Sequence, residues 1–350
     1  MHCPRLDHFV KLHSPKKRSG NGVVNTCCHM VDPPRFINYE TMINSEWLKN
    51  TKAIFAEGKF PKECIRCEEV EVLNSSIASI RQAAIEEDKN QTKEDYLIAD
   101  IMLDNICNSA CQFCFPSIST KVGSLYSSNY TIYDNTEYFK ELPLDRIVQL
   151  DITGGEPSNS KNVKNLLNNL PPNVQTIRVN TNCSSFMDEL IKLIDKKIKL
   201  SITISLDGVE KVHEYVRWPI KWNIFYKTLL EYKKFAMANS ELVNVNLWST
   251  VNSLNINDLE NISEFAKDVD LSHSFSFLNE PEQLNICYEN NLTLLAKEKF
   301  ANSNNQIIKN IYSKIACRRN NQVEFDTYVN EQDKLRSINI QNYLIGNINS

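Results

Sequence analysis

Apolar positions along the chain alternate between two periods. From residue 97 onward, apolar runs at Leu97 to Leu103, Ile147 to Ile152, Thr176 to Val179, Leu200 to Leu206, Val243 to Val251 and Leu271 to Phe277 read as strands. Between them the spacing becomes helical. Val163, Leu166, Leu167 and Leu170 form one stripe, and Phe186, Leu190, Leu193 and Ile194 the next. Trp222, Phe225, Leu229, Tyr232 and Phe235 form a third; Ile256, Leu259, Ile262, Phe265 and Val269 form a fourth. Strands alternating with one-sided helices predict a parallel sheet covered by helices. Six such units fall short of a closed eight-stranded barrel, which takes about 250 residues. The expected fold is therefore α/β, a partial (β/α)6 TIM-like barrel over residues 91–280.

The flanks follow other rules. The first ~70 residues show little periodicity and read as part of a small cysteine-rich domain, residues 1–90. A helical stripe, Ile77, Ile80, Ala84 and Ile85, predicts a helix from Ser75 to Glu87, and the charged run Glu86 to Asp95 reads as a solvated linker. After Pro281 the alternation stops, and residues 282–350 are polar and Asn-rich, expected to be helical in part, in a C-terminal helical segment, 281–350. Within it, Phe325 to Arg336 reads as a packing segment that closes the barrel's side and carries its charges on a solvated face.

Composition narrows the function. Of 350 residues, 42% are hydrophobic and 23% charged, which excludes a wholly disordered chain. The net charge of −4 gives no basic footprint, so nucleic acid is not expected as a principal partner. No apolar run approaches the ~18 residues of a membrane span, and the N-terminus lacks the apolar core of a secretory signal. A cytoplasmic location is expected. Eleven cysteines, an odd number in a large chain, point to metal binding or reactivity rather than disulfides.

Three of them, Cys107, Cys111 and Cys114, stand as Cys-x3-Cys-x2-Cys just after the first strand run, with Phe113 before the last. Three thiolates on one loop can hold three irons of a [4Fe–4S] cluster and leave the fourth iron open. Zinc is the competing reading, though it favours four ligands in paired Cys-x2-Cys knuckles. After the second strand run comes Gly154-Gly155-Glu156-Pro157. Its glycines allow close backbone approach, and its carbonyls and the Glu156 carboxylate can accept hydrogen bonds from an ammonium group. Alone it would be an ordinary strand-to-helix turn.

Together these motifs resemble the radical S-adenosylmethionine (SAM) superfamily. A third match is the strand end Ser201 to Gly208, followed by His213, Tyr215 and Arg217. The resemblance, over residues 97 to 280, implies that Cys107, Cys111 and Cys114 ligate a [4Fe–4S] cluster whose open iron binds SAM. It implies that Gly154, Gly155 and Glu156 take the SAM amino group, and that Ser205 and Arg217 are candidates for its carboxylate. Asn180 and Asn182 are candidates for ribose or substrate, with turn chemistry as the alternative. The implied reaction is reductive cleavage of SAM to a 5′-deoxyadenosyl radical that abstracts hydrogen from substrate. A flavodoxin- or ferredoxin-type protein would supply the electron.

The N-terminal cysteines resemble the auxiliary-cluster domains called SPASM and twitch, in permuted order. The matching elements are Gly22 with Cys27, Cys64 with Cys67 and Glu68, and Ser79-Ile80-Arg81. This implies a second Fe–S cluster on Cys3, Cys27, Cys64 and Cys67, with Cys28 competing for the place of Cys27 and zinc as the alternative metal. Cys183 is either a hydrogen donor or an inert buried thiol. Trp218, Trp222 and Trp248 read first as core, His213 as part of a helix start. The substrate reads as a peptide or protein side chain, with a nucleotide or sugar as the alternative. No separate peptide-recognition domain is visible in the sequence, which points away from a leader-guided reaction. A non-catalytic electron carrier or scaffold is the remaining alternative.

Overall fold

In the computed structural model the described residues are 1–13, 23–72, 78–91, 95–127 and 129–344. Among these residues eight strands form: β1 (Phe9–Leu12), β2 (Val24–Asn25), β3 (Leu97–Ile101), β4 (Ile147–Ile152), β5 (Thr176–Thr181), β6 (Lys199–Ser205), β7 (Val243–Val251) and β8 (Ser272–Phe277). Their order is β2-β1-β3-β4-β5-β6-β7-β8, an open sheet with β2 and β8 at its edges. The pairs β1–β3, β3–β4, β4–β5 and β7–β8 are parallel, and β1–β2 is antiparallel. The α/β fold with an unclosed parallel sheet is the expected one, and β3 to β8 are the six strands read from the pattern.

The other two strands come from the segment that showed no periodicity. Phe9, Val10 and Leu12 are buried, but four residues are too few to display a period. Lys11, on the same strand, reaches Asp100 Oδ2 on β3 at 2.5 Å. The expected linker 86–95 is also corrected in part. The helix there runs Ile80–Lys89, started by a Ser79 capping box with Gln82. Its last turn absorbs the charges of Glu86 and Lys89 as an i,i+3 pair. Of the sequence features above, Gly22, residues 75–77 and residues 92–94 lie outside the described residues.

The chain divides into two compact units. The first is Met1–Asn105, Ile132–Val179 and Glu189–Leu200; the second is Ile106–Thr131, Asn180–Asp188 and Ser201–Ser350. One apolar cluster of the first unit joins Phe9, Tyr96, Ile98 and Val148 across β1, β3 and β4. One of the second joins Val212, Tyr215, Val216, Leu254 and Leu284 to Phe325, Val329 and Leu344. Burying each such side chain contributes about 1.5–3 kcal/mol, so the C-terminal segment is a structural part of its unit. It forms helices Asn291–Phe300, Gln306–Tyr312 and Gln322–Arg336. On the last of these Asp326, Glu331 and Lys334 are exposed, as expected of a solvated face, while Asp333 and Arg336 are buried. Among the described residues, no helix is long and apolar enough to cross a membrane.

Candidate functional site

The second unit holds the cysteine loop. Cys114 N donates to Cys111 O at 3.1 Å, closing one turn between two of the three sulfurs. The loop is pinned along its length by groups that ask little of its side chains. Ser119 Oγ donates to Ser109 O at 2.6 Å, Ala110 N to Trp218 O at 2.7 Å and Gln112 N to Val216 O at 2.9 Å. Asn182 Nδ2 donates to Asn108 Oδ1 and to Ser109 Oγ, both at 2.9 Å. Asn182 is thus a brace of the loop, while Asn180 is an exposed residue of β5.

Two donors approach the sulfurs. Ser109 N lies 3.4 Å from Cys107 Sγ, and Arg217 Nη1 lies 3.9 Å from Cys111 Sγ. Burial pushes the Cys111 and Cys114 thiols up, and for Cys114 the neighbouring Cys111 and Cys107 add to it. As free thiols Cys111 and Cys114 resist ionisation; cationic iron would reverse that cost. The all-sulfur donor set with N–H groups at its sulfurs therefore fits a thiolate-ligated cluster. Among the described residues, no three His, Cys, Asp or Glu side chains group closely enough to hold a single ion. In a cubane each thiolate binds its own iron.

Arg217 is itself anchored. Its Nε and Nη2 donate to Asp207 Oδ2 at 2.8 and 2.7 Å, and Asp207 Oδ1 accepts from Thr250 N at 2.7 Å. Burial raises the Asp207 carboxyl, and the Arg217 guanidinium and the Thr250 N–H pull it back. Next along the chain, Gly208 has φ +156°, and a Cβ there would lie 2.7 Å from His213 N. Only glycine lets the chain turn there, from the end of β6 into the helix Lys211–Val216. Ser205 is the last residue of β6 and half-buried. The Phe113 ring lies 6.0 Å from the Arg217 guanidinium carbon. Asp207 stands in the strand-end motif Ser201 to Gly208, and the structure shows it as the fixed partner of Arg217.

The first unit holds the glycine segment. Gly154 has φ +117°, and a Cβ there would lie 2.7 Å from Met102 Cγ and 3.1 Å from Asp104 O. Gly155 N donates to Asp104 O at 3.4 Å, and Ser160 Oγ to Asp104 Oδ2 at 2.6 Å. Glu156 is 2% exposed, and its Oε1 accepts from Ser158 N at 3.1 Å, capping the short turn Pro157–Asn159.

The same unit gathers four N-terminal cysteines. Cys3, Cys27, Cys64 and Cys67 line one small cavity with Arg5, Leu6, Met30, Phe55 and Arg81. Chain segments some 60 residues apart meet there, from the helix Arg5–His8, the turn after β2 and the helix Ile65–Val72. Cys28 does not line the cavity and is exposed; its sulfur accepts from Arg5 Nη1 at 3.6 Å. Burial pushes the Cys3 thiol up to about 11 and Cys64 up to about 12, while the neighbouring Cys28 thiol lowers Cys27. Arg81 pairs with Glu71 and donates to His2 O at 2.7 Å, holding the chain start against the helix Ile80–Lys89.

Three other residues can be placed. Cys183 is fully buried, with φ +61° and its Sγ 3.8 Å from Phe225 O. His213 is fully buried in the helix Lys211–Val216 between Trp222 and Phe225, where desolvation keeps it neutral. Trp248 is 38% exposed on β7, not core as expected, with its indole Nε1 donating to Ser276 Oγ at 3.1 Å.

Residues 101–266, which contain the cysteine loop, the glycine segment and Arg217, match the family model of the radical SAM superfamily. The chain carries a radical SAM domain. A curated relative is the sporulation killing factor maturation protein SkfB of Bacillus subtilis (strain 168), 25% identical over 164 residues. That match spans 47% of this chain and 38% of the relative's length. Among solved structures, Streptococcus suis SuiB bound to precursor peptide SuiA is 14% identical, covers 79% of this chain and 59% of that one, and has a TM-score of 0.40. The structure of anSMEcpe with bound AdoMet and Kp18Cys peptide is 16% identical, covers 58% and 59%, and also has a TM-score of 0.40. Radical SAM domains use a [4Fe–4S] cluster and SAM, the cofactors to which the Cys107–Cys114 loop is suited.

Proposed function

We propose that this radical SAM enzyme abstracts hydrogen from a polypeptide side chain, with Cys107, Cys111 and Cys114 as the ligands of its SAM-binding cluster. The observation that carries the reading is the three-cysteine loop inside the matched domain, with a backbone N–H and a guanidinium directed at its sulfurs. When bound, cluster and SAM supply a 5′-deoxyadenosyl radical, the species that removes hydrogen. The chain's own residues hold and orient. Asn182 and Ser119 keep the loop in shape. Asp207 fixes Arg217 through two of its nitrogens and leaves Nη1 as the donor toward Cys111 Sγ. Gly154 and Gly155 offer backbone without side chains, and with Glu156 are assigned to the SAM ammonium group on their motif. Ser205 is assigned to the SAM carboxylate on its motif.

Cys3, Cys27, Cys64 and Cys67 are assigned to an auxiliary Fe–S cluster. Their convergence on one buried cavity supports that set and favours Cys27 over Cys28. Such a cluster would take the electron released if the substrate radical is oxidised. The polypeptide substrate rests on the B. subtilis relative's name as a maturation protein. A flavodoxin- or ferredoxin-type donor is assigned as electron source.

The test is anaerobic reconstitution with iron and sulfide counting, on wild type and on the triple variant Cys107→Ala, Cys111→Ala, Cys114→Ala. About eight irons per chain should fall to about four. Dithionite and SAM should yield 5′-deoxyadenosine from wild type alone. An intact cluster that yields none would make the chain an electron carrier. Turnover of a nucleotide or sugar, but of no polypeptide, would replace the substrate class.

A further inference from the structure

In the second unit a buried guanidinium from the last helix is bonded to the cysteine loop. Arg336 is 3% exposed. Its Nε donates to Ala110 O at 2.9 Å and its Nη2 to Cys111 O at 3.2 Å. Its Nη1 donates to Gln332 O at 3.1 Å and Gln332 Oε1 at 2.8 Å. All four acceptors are neutral. Asp333, the acid nearest to it along the helix, directs its carboxylate to Tyr215 Oη at 2.8 Å and Ile340 N at 2.7 Å. Among the described residues, no carboxylate lies within ion-pair distance of Arg336. The contrast is Arg217, beside the same loop, which has Asp207 as its counter-ion.

A buried cation bonded only to neutral groups is costly, because carbonyl dipoles replace lost hydration only in part. The arrangement makes electrostatic sense if the loop it holds becomes negative. Thiolates bound to a cluster supply that charge, and in a poorly solvated site a cation a few ångströms away acts strongly on them. We propose that Arg336 is the charge-balancing positioning residue of the Cys107–Cys111–Cys114 site, offsetting the negative charge of the ligated loop and favouring the cluster's reduced state. The proposal rests on the cluster reading above. It also gives the C-terminal helix a functional role: Tyr328 Oη, from the same helix, donates to Gln112 O at 2.7 Å, so the helix grips three consecutive loop residues.

The experiment is an EPR-monitored redox titration of reconstituted wild type, Arg336→Met and Arg336→Lys. The signal followed is the one absent from the triple cysteine variant, and the auxiliary signal is the internal control. Arg336→Met should lower the ratio of reduced to oxidised cluster about tenfold at a fixed potential, a shift of about 59 mV for one electron. Arg336→Lys should stay within threefold of wild type. A Met variant that loads and reduces like wild type, or a Lys variant that moves as far as Met, overturns the proposal. Should the Met variant take up no cluster, melting of the apo-proteins decides. Charge balance predicts that apo Arg336→Met loses less stability than the bonds to Ala110, Cys111 and Gln332 alone would carry, because removing a buried cation with no carboxylate at ion-pair distance offsets their loss. A loss as large as those bonds carry would reduce Arg336 to a hydrogen-bonding peg. If the triple cysteine variant keeps all its iron, the cluster reading fails whatever Arg336 does.

Discussion

Arg217 shows how much a single residue's role depends on its partner. Its guanidinium is tied by two nitrogens to one buried Asp207 oxygen, so its third nitrogen is aimed rather than mobile. Asp207→Asn would leave a buried cation short of its counter-charge, and unfolding of the apo-protein should show a loss of about 3–5 kcal/mol. A loss under 1 kcal/mol would mean that the pair is not what fixes Arg217. Asp258 gives a pH-dependent case. It accepts from Val209 N and Asn261 Nδ2, both at 2.6 Å, yet burial raises its carboxyl from 3.8 to about 6. Between those values the folded chain keeps a proton that the unfolded chain has released. Stability therefore falls as pH rises from about 4 to about 6, by an amount on the order of 3 kcal/mol. Asp258→Asn should lack this fall, and urea unfolding of both proteins at pH 4 and pH 7.5 checks it. Parallel curves at the two pH values would sink it. The cysteines were legible at this scale because ligand spacing on one loop is local. Arg336 was not, since its acceptors on the cysteine loop stand some 225 residues away.

Elements were legible in proportion to their length. The nine-residue β7 alternates buried and less buried positions throughout, and the helix Lys161–Asn168 buries Val163, Leu166 and Leu167 on one side. β1 has only four residues, and its Lys11 breaks the apolar run. That lysine is nonetheless what its place in the sheet requires, since it meets buried Asp100, which also accepts from Thr153 Oγ1 at 2.9 Å. Lys11→Ala should cost about 3 kcal/mol by leaving that carboxylate unpaired. The double variant Lys11→Ala, Asp100→Asn should recover part of it, and a double variant no more stable than the single one would show that charge pairing is not the cause. The last helix was legible only in part, for a related reason. Asp326, Glu331 and Lys334 do lie on a solvated face, and only the contacts of Asp333 and Arg336 show that two of the charges are used inside.

For the whole molecule, the alternation of strands and helices was enough to indicate an open α/β sheet, because burial on both faces forces that pattern on a parallel sheet. SAM binding should then act on global stability. With cluster-loaded wild type, SAM at a hundredfold over its Kd should add about 2.7 kcal/mol, seen as a rise in melting temperature. The triple cysteine variant should show no rise; an equal rise in both would place SAM elsewhere. The amino-acid sequence by itself determined the fold class, the three-cysteine loop and the glycine segment, since each is written in spacings shorter than about ten residues. Only the tertiary structure showed that Cys3, Cys27, Cys64 and Cys67 line one cavity, that β1 extends the sheet, and that Arg336 is inside. Burial and charge pairing depend on residues brought together from distant parts of the chain, and spacing along one segment carries no record of them.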